Sequence, residues 1–119
     1  AKAFLLTIAI QEMSEILKAA GAHTDTAYGL AGLGDLIVTG FSPHGRNRTY
    51  GERLVGATSK HPPDLGLTTV EGINATDLAA KHAHRLSVKT PLLDSITHCL
   101  KVETCFSLPF EAFLKEVAL

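Results

Sequence analysis

Apolar residues recur at helical spacing from the start of the chain. Leu5, Ile8, Ala9, Met13, Ile16, Leu17 and Ala20 fall on one stripe, which predicts a helix over Lys2 to Ala20. Gly21 stands where a left-handed C-cap belongs. Ala1-Lys2-Ala3 offers no capping side chain, and the apolar pattern begins at full strength. The chain therefore reads as entering a helix partway, as a piece of a longer protein would. A second helical stretch is expected from Thr24 or Asp25, running into Gly29-Leu30-Ala31-Gly32-Leu33-Gly34-Asp35. Gly40 to Gly45 is turn chemistry, and a short helix should follow over Arg46 to Val55. His61-Pro62-Pro63-Asp64 reads as a loop, because each proline disfavours helix in the residue before it.

The second half carries plainer punctuation. Thr68-Thr69-Val70-Glu71 fits a capping box, with Thr68 at N-cap and Glu71 at N3, opening a helix to about His84. Thr90-Pro91 is an N-cap followed by proline at N1, after which Leu92, Leu93, Ile96, Cys99 and Leu100 mark an amphipathic helix. Ser107 is expected to cap a last helix bearing Phe110, Phe113, Leu114 and Val117. Leu36-Ile37-Val38 is too short to argue for a strand. The pattern predicts one all-α domain over residues 1–119, built from five to seven helices.

Composition narrows the function classes. The 119 residues carry 11 basic and 12 acidic side chains, a net charge of −1, which disfavours a nucleic-acid-coating protein. No apolar run approaches the roughly 20 residues that span a bilayer, and no signal-peptide pattern opens the chain. Cys99 and Cys105, six apart, fit neither a disulfide scaffold nor a C-x-x-C site and read as reduced thiols of a cytosolic protein. Asn47-Arg48-Thr49 and Asn74-Ala75-Thr76 match glycosylation triplets only by coincidence on that reading.

Candidate chemistry concentrates between Gly32 and Tyr50. Arg46-Asn47-Arg48 follows Gly45, and an arginine fork with a neutral amide donor suits a phosphate or carboxylate. A helix start at Arg46 would add free amides of the right sign. A solvated polar loop remains the bland alternative. Asp35, between Leu33-Gly34 and Leu36-Ile37-Val38, looks like a buried acid that caps a helix or holds a proton-transfer partner. Gly29-x-x-Gly32-x-Gly34 reverses the dinucleotide G-x-G-x-x-G order and follows no strand, so it is not read as one. His82 and His84, two apart, point away from each other on a helix, and with His98 beside Cys99 they make no metal site. The capping box by itself accounts for Glu71.

Gly29 to Thr39, Arg46-Asn47-Arg48 with Gly51, and Val70-Glu71-Gly72 together resemble the second domain of bacterial NAD(P)-dependent glycerol-3-phosphate dehydrogenases. The resemblance covers nearly the whole chain. It implies a multi-helical domain of the 6-phosphogluconate dehydrogenase C-terminal-like type, serving an enzyme that interconverts sn-glycerol 3-phosphate and dihydroxyacetone phosphate in the cytoplasm, feeding glycerophospholipid synthesis. NAD or NADP would be bound mainly by an N-terminal Rossmann domain, which this chain lacks. Substrate contacts would come from Asp35, Thr39, Gly45, Arg46 and Asn47, with Asp35 orienting a catalytic lysine that is absent here. Arg46, Thr69 and Glu71 would meet the cofactor. Lys2 does not match that lysine, and Gly45 stands where serine is common in the family. The partners implied are a small phosphate substrate and the Rossmann domain, with no nucleic acid and no membrane span. Oligomeric state is left open, a homodimer included. Without the resemblance, the residues also fit a non-catalytic helical module whose Arg-rich loop binds an anion or a partner.

Overall fold

The long first helix, α1 (Lys2–Ala19), turns its apolar stripe toward α6 (Pro91–Lys101), and the two bury Ile8 against Leu92. Phe4, Leu5, Ala9 and Ile96 pack around that pair. This computed structural model describes residues 2–102 together with the helical positions 111 and 115, and no strand occurs among the described residues. The helix expected from Ser107, with Phe110, Phe113, Leu114 and Val117, and the thiol of Cys105 lie outside them. Gly21 adopts φ +86°, as the C-cap reading requires. Its N–H bonds the Lys18 carbonyl at 3.1 Å while Ala22 N–H reaches Leu17 at 2.9 Å, which closes the helix end.

The stretch expected as one second helix divides into α2 (Asp25–Tyr28), a wide π-type turn over Leu30–Gly34, and α3 (Asp35–Phe41). Close packing on Ala27 dictates the break. A Cβ on Gly32 would fall 2.2 Å from the Ala27 carbonyl oxygen, so the wide turn exists only because residue 32 lacks one. Gly40 and Phe41, expected in a turn, belong to α3, and the turn is confined to residues 42–45. α4 (Arg46–Leu54) then starts at the predicted residue.

A second apolar cluster joins Tyr50, Leu54 and Val70, with Leu65, Leu67, Ile73 and Leu100 around them. His61-Pro62-Pro63-Asp64 is not simply a loop. Pro62–Leu65 forms a 3₁₀ turn, its prolines at the first positions where a missing N–H costs nothing, and Gly66 closes it at φ +76°. The predicted capping box does not form. α5 (Glu71–Arg85) begins after Val70, whose burial holds it extended at φ −126°, so Glu71 is the first helical residue and Thr68 lies outside.

For α6, Thr90 and Pro91 stand where predicted, yet the cap is remote. Leu92 N–H donates to Glu12 Oε2 at 2.7 Å and Leu93 N–H to Glu12 Oε1 at 3.0 Å, while the Thr90 hydroxyl turns to Asp94. At the other end, Lys60 Nζ donates to the carbonyls of Cys99 and Val102. Cys99 itself is buried. No described helix is long and apolar enough to cross a membrane.

Candidate functional site

The candidate anion site forms where the N-termini of α4 and α5 meet. Arg46 and Asn47 are the first two residues of α4, and Glu71 and Gly72 the first two of α5. Arg46 Nη2 donates to Glu71 Oε1 at 3.0 Å, and Gly72 N–H donates to Asn47 Oδ1, also at 3.0 Å. Two segments 25 residues apart are thus stitched twice. Both Arg46 and Glu71 remain more than half exposed, so the pair contributes at most about 1 kcal/mol and yields readily to a stronger anion. The Arg–Glu contact uses one guanidinium nitrogen and leaves the rest of the fork for a ligand.

Gly45 is the N-cap of α4 in an extended conformation and supplies no side-chain cap. The Thr49 hydroxyl returns to the Gly45 carbonyl at 2.9 Å, which secures the first turn. Arg48, the third residue of the Arg-Asn-Arg run, faces elsewhere: its Nε meets Glu52 at 2.9 Å, and Nη1 approaches the Gly40 carbonyl at 3.4 Å. It ties the start of α4 to the end of α3.

Asp35 opens α3 directly after the π-type turn, but it is exposed rather than buried. Of the apolar neighbours that make it look buried, Ile37 and Val38 are exposed, and Leu33 and Leu36 are only half-buried. The Thr39 hydroxyl bonds the Asp35 carbonyl one turn back, so the two lie on one face of α3. Among the described residues no hydrogen bond joins Asp35 or Thr39 to Arg46, Asn47, Thr69 or Glu71. Thr69 is exposed on the wall of an open cavity of about 560 Å³ beside the start of α5. The structure therefore brings Gly45, Arg46, Asn47 and Glu71 together, sets Thr69 two residues away, and carries Asp35 and Thr39 on a separate helix.

Comparison with known proteins bears on this arrangement. A family model described as "NAD-dependent glycerol-3-phosphate dehydrogenase C-terminus" matches residues 1–107. The chain belongs to that family. A glycerol-3-phosphate dehydrogenase [NAD(P)+] of Deinococcus radiodurans is 46% identical over 92 residues, which cover 74% of this chain and 27% of that protein. The corresponding protein of Rhizobium etli is 39% identical over 97 residues, covering 82% of this chain and 29% of its own length. That of Thermus thermophilus is 38% identical over 96 residues, 81% and 30% of the two chains. The chain thus spans less than a third of the length of these relatives. No solved structure gives a significant match.

Within a chain of the glycerol-3-phosphate dehydrogenase C-terminal family, the glycine-rich segment acquires a mechanical meaning. Its glycines build the wide turn that delivers Asp35 to the start of α3. In the sequence, Gly72 stands beside Glu71 with no evident task. Its contact with Asn47 depends on a partner 25 residues away, which no local pattern reveals.

Proposed function

We propose that this chain is the substrate-binding domain of an oxidoreductase interconverting sn-glycerol 3-phosphate and dihydroxyacetone phosphate with NAD or NADP. The observation that supports this most directly is the Arg46–Asn47 pair at the N-terminus of α4, locked to Glu71–Gly72 of α5. A dianionic phosphate suits a guanidinium fork, a carboxamide donor and free helix amides, because all three offer N–H groups and positive potential. Arg46 and Asn47 take the phosphate in this reading, with the Gly45 backbone beside them. Asp35 and Thr39 supply a carboxylate and a hydroxyl for the substrate's hydroxyl and for the lysine that moves the carbonyl proton.

A dinucleotide carries ribose hydroxyls and anionic phosphates, and the exposed Thr69, Glu71 and Arg46 present chemistry that fits it: a hydroxyl, a carboxylate and a guanidinium. When bound, the nicotinamide supplies or accepts the hydride. Glu71 holds Arg46 until the anion arrives, and its carboxylate suits a ribose hydroxyl thereafter. In this proposal the cofactor domain is an N-terminal Rossmann domain, and the lysine comes from elsewhere on the same cytoplasmic polypeptide.

Titrating the chain with sn-glycerol 3-phosphate, followed by ¹⁵N chemical shifts, tests the reading. The shifts should centre on Gly45, Arg46 and Asn47. Arg46→Lys should weaken binding about ten- to a hundredfold, since a point ammonium cannot replace a bidentate charged contact worth roughly 1.5–3 kcal/mol. Equal affinity in the variant would remove Arg46 from the phosphate site.

A further inference from the structure

The carboxamide of Asn47 has two unlike ends, an oxygen that only accepts and a nitrogen that only donates. An anion can use the nitrogen alone. The Gly72 backbone N–H lies 3.0 Å from Asn47 Oδ1, and since that N–H can only donate, it fixes which end of the carboxamide is the oxygen. The approach is possible because residue 72 is glycine. A Cβ there would stand 2.6 Å from Asn47 Oδ1 and 2.8 Å from Cγ, where contacts of real side chains essentially never fall, and a tight 3.1 Å from Nδ2. Asn47 would have to swing away.

We propose that Gly72 is a positioning residue for the anion site, its N–H engaging the Asn47 oxygen so that Nδ2 is presented to the phosphate as a donor. The inference rests on the reading of Arg46–Asn47 as the phosphate site. It adds a reason for the double stitch between α4 and α5. The same dipeptide, Glu71–Gly72, holds both anion donors, one by its side chain and the other by its backbone. A carboxamide released from Gly72 rotates freely and turns its oxygen toward an anion part of the time, which repels it.

The test uses inorganic phosphate and the chain itself, read by NMR. In the unsubstituted protein, phosphate should shift the Asn47 side-chain NH₂ resonances while the Gly72 amide moves little. The reverse pattern would mean that Gly72 donates to the anion directly, which overturns the proposal. Gly72→Ala should weaken phosphate binding about three- to tenfold, the worth of one hydrogen bond, and should shift the Asn47 side-chain resonances even without phosphate. Asn47→Asp keeps an acceptor for the Gly72 N–H, so it should fold normally, yet lose phosphate binding because it has no N–H to give. Normal phosphate affinity in Gly72→Ala, alongside a loss in Asn47→Asp, would sink the positioning role and leave the phosphate site standing. No phosphate binding by the unsubstituted chain, or none lost in Asn47→Asp, would overturn both.

Discussion

Position 45 is a glycine for no conformational reason. Its φ of −70° and ψ of 134° are open to any residue, and a Cβ there would meet the Arg48 Cβ at an ordinary 3.9 Å. Gly45→Ser should therefore fit without strain and give α4 the side-chain cap it lacks, stabilising the protein by a few tenths of a kcal/mol. In the phosphate-site reading, the added hydroxyl should also tighten sn-glycerol 3-phosphate binding. A thermal melt and a binding titration check the two effects separately, and a fall in Tm would contradict the first. The contrast with neighbouring residues shows what a sequence makes legible at this scale. Arg46 and Asn47 declare their chemistry by type and order, and the structure sets them side by side at a helix start. Asp35 misleads, because its apolar neighbours look like core, yet Ile37 and Val38 are exposed. Gly72 stays silent, since the residue that needs it lies 25 positions earlier.

At the scale of elements, periodicity located α1 and α6, and turn and cap punctuation located α4 and α5, but helix ends followed contacts that local pattern does not encode. Thr68-Thr69-Val70-Glu71 satisfied a local capping rule and still lost, because buried Val70 holds the chain extended to the last residue before α5. The N-terminus of α6 took its cap from Glu12, 80 residues before Leu92. Burial pushes the Glu12 carboxyl above its ordinary value of 4.5, outweighing the pull of the Leu93 and Leu92 amides, and the Asp94 carboxylate adds to the rise. A carboxyl raised on folding binds its proton more tightly in the native state. Its contribution is therefore fully present below pH 4.5 and declines as pH rises through the raised native value. Asp77 acts in a separate window, because hydrogen bonds from Lys101 and Lys81 hold its carboxyl below the usual range. Glu12→Gln offers one acceptor oxygen to two amides and should cost about 1–3 kcal/mol. Melts from pH 4 upward should show the pH-dependent component above pH 4.5 in the parent and not in the variant. A parallel pair of curves would exclude Glu12 as its source.

Across the whole molecule, apolar burial is uneven. One cluster sits between α1 and α6, the other between α4, the 3₁₀ turn, the start of α5 and Leu100, so α6 contributes to both. The stretch from α2 to α3 buries only Ala27 and Gly32, while Tyr28, Leu30, Val38 and Phe41 are more than half exposed. Local opening should follow that division, since few buried contacts oppose it in the second case. Native-state hydrogen exchange is expected to protect Ile8, Leu54 and Cys99 amides most and those of α3 least. Protection of α3 equal to that of α6 would show that burial does not rank the opening energies. The all-α class was legible throughout the described residues. The outward turn of Ile37 and Val38 was not, because a hydrophobic residue is read as core whether or not this chain supplies the surface that covers it.

The ends of α6 have a consequence for anyone who would rebuild this protein. Residues 90–102 look like a portable cassette, complete with threonine, proline and an apolar stripe. They are not. Grafted into another bundle, the segment would arrive without the acid that meets its first amides and the amine that meets its last carbonyls, because Glu12 and Lys60 stay behind. Whoever moves the helix must carry an acid for its head and an amine for its tail, drawn from two other parts of the polypeptide.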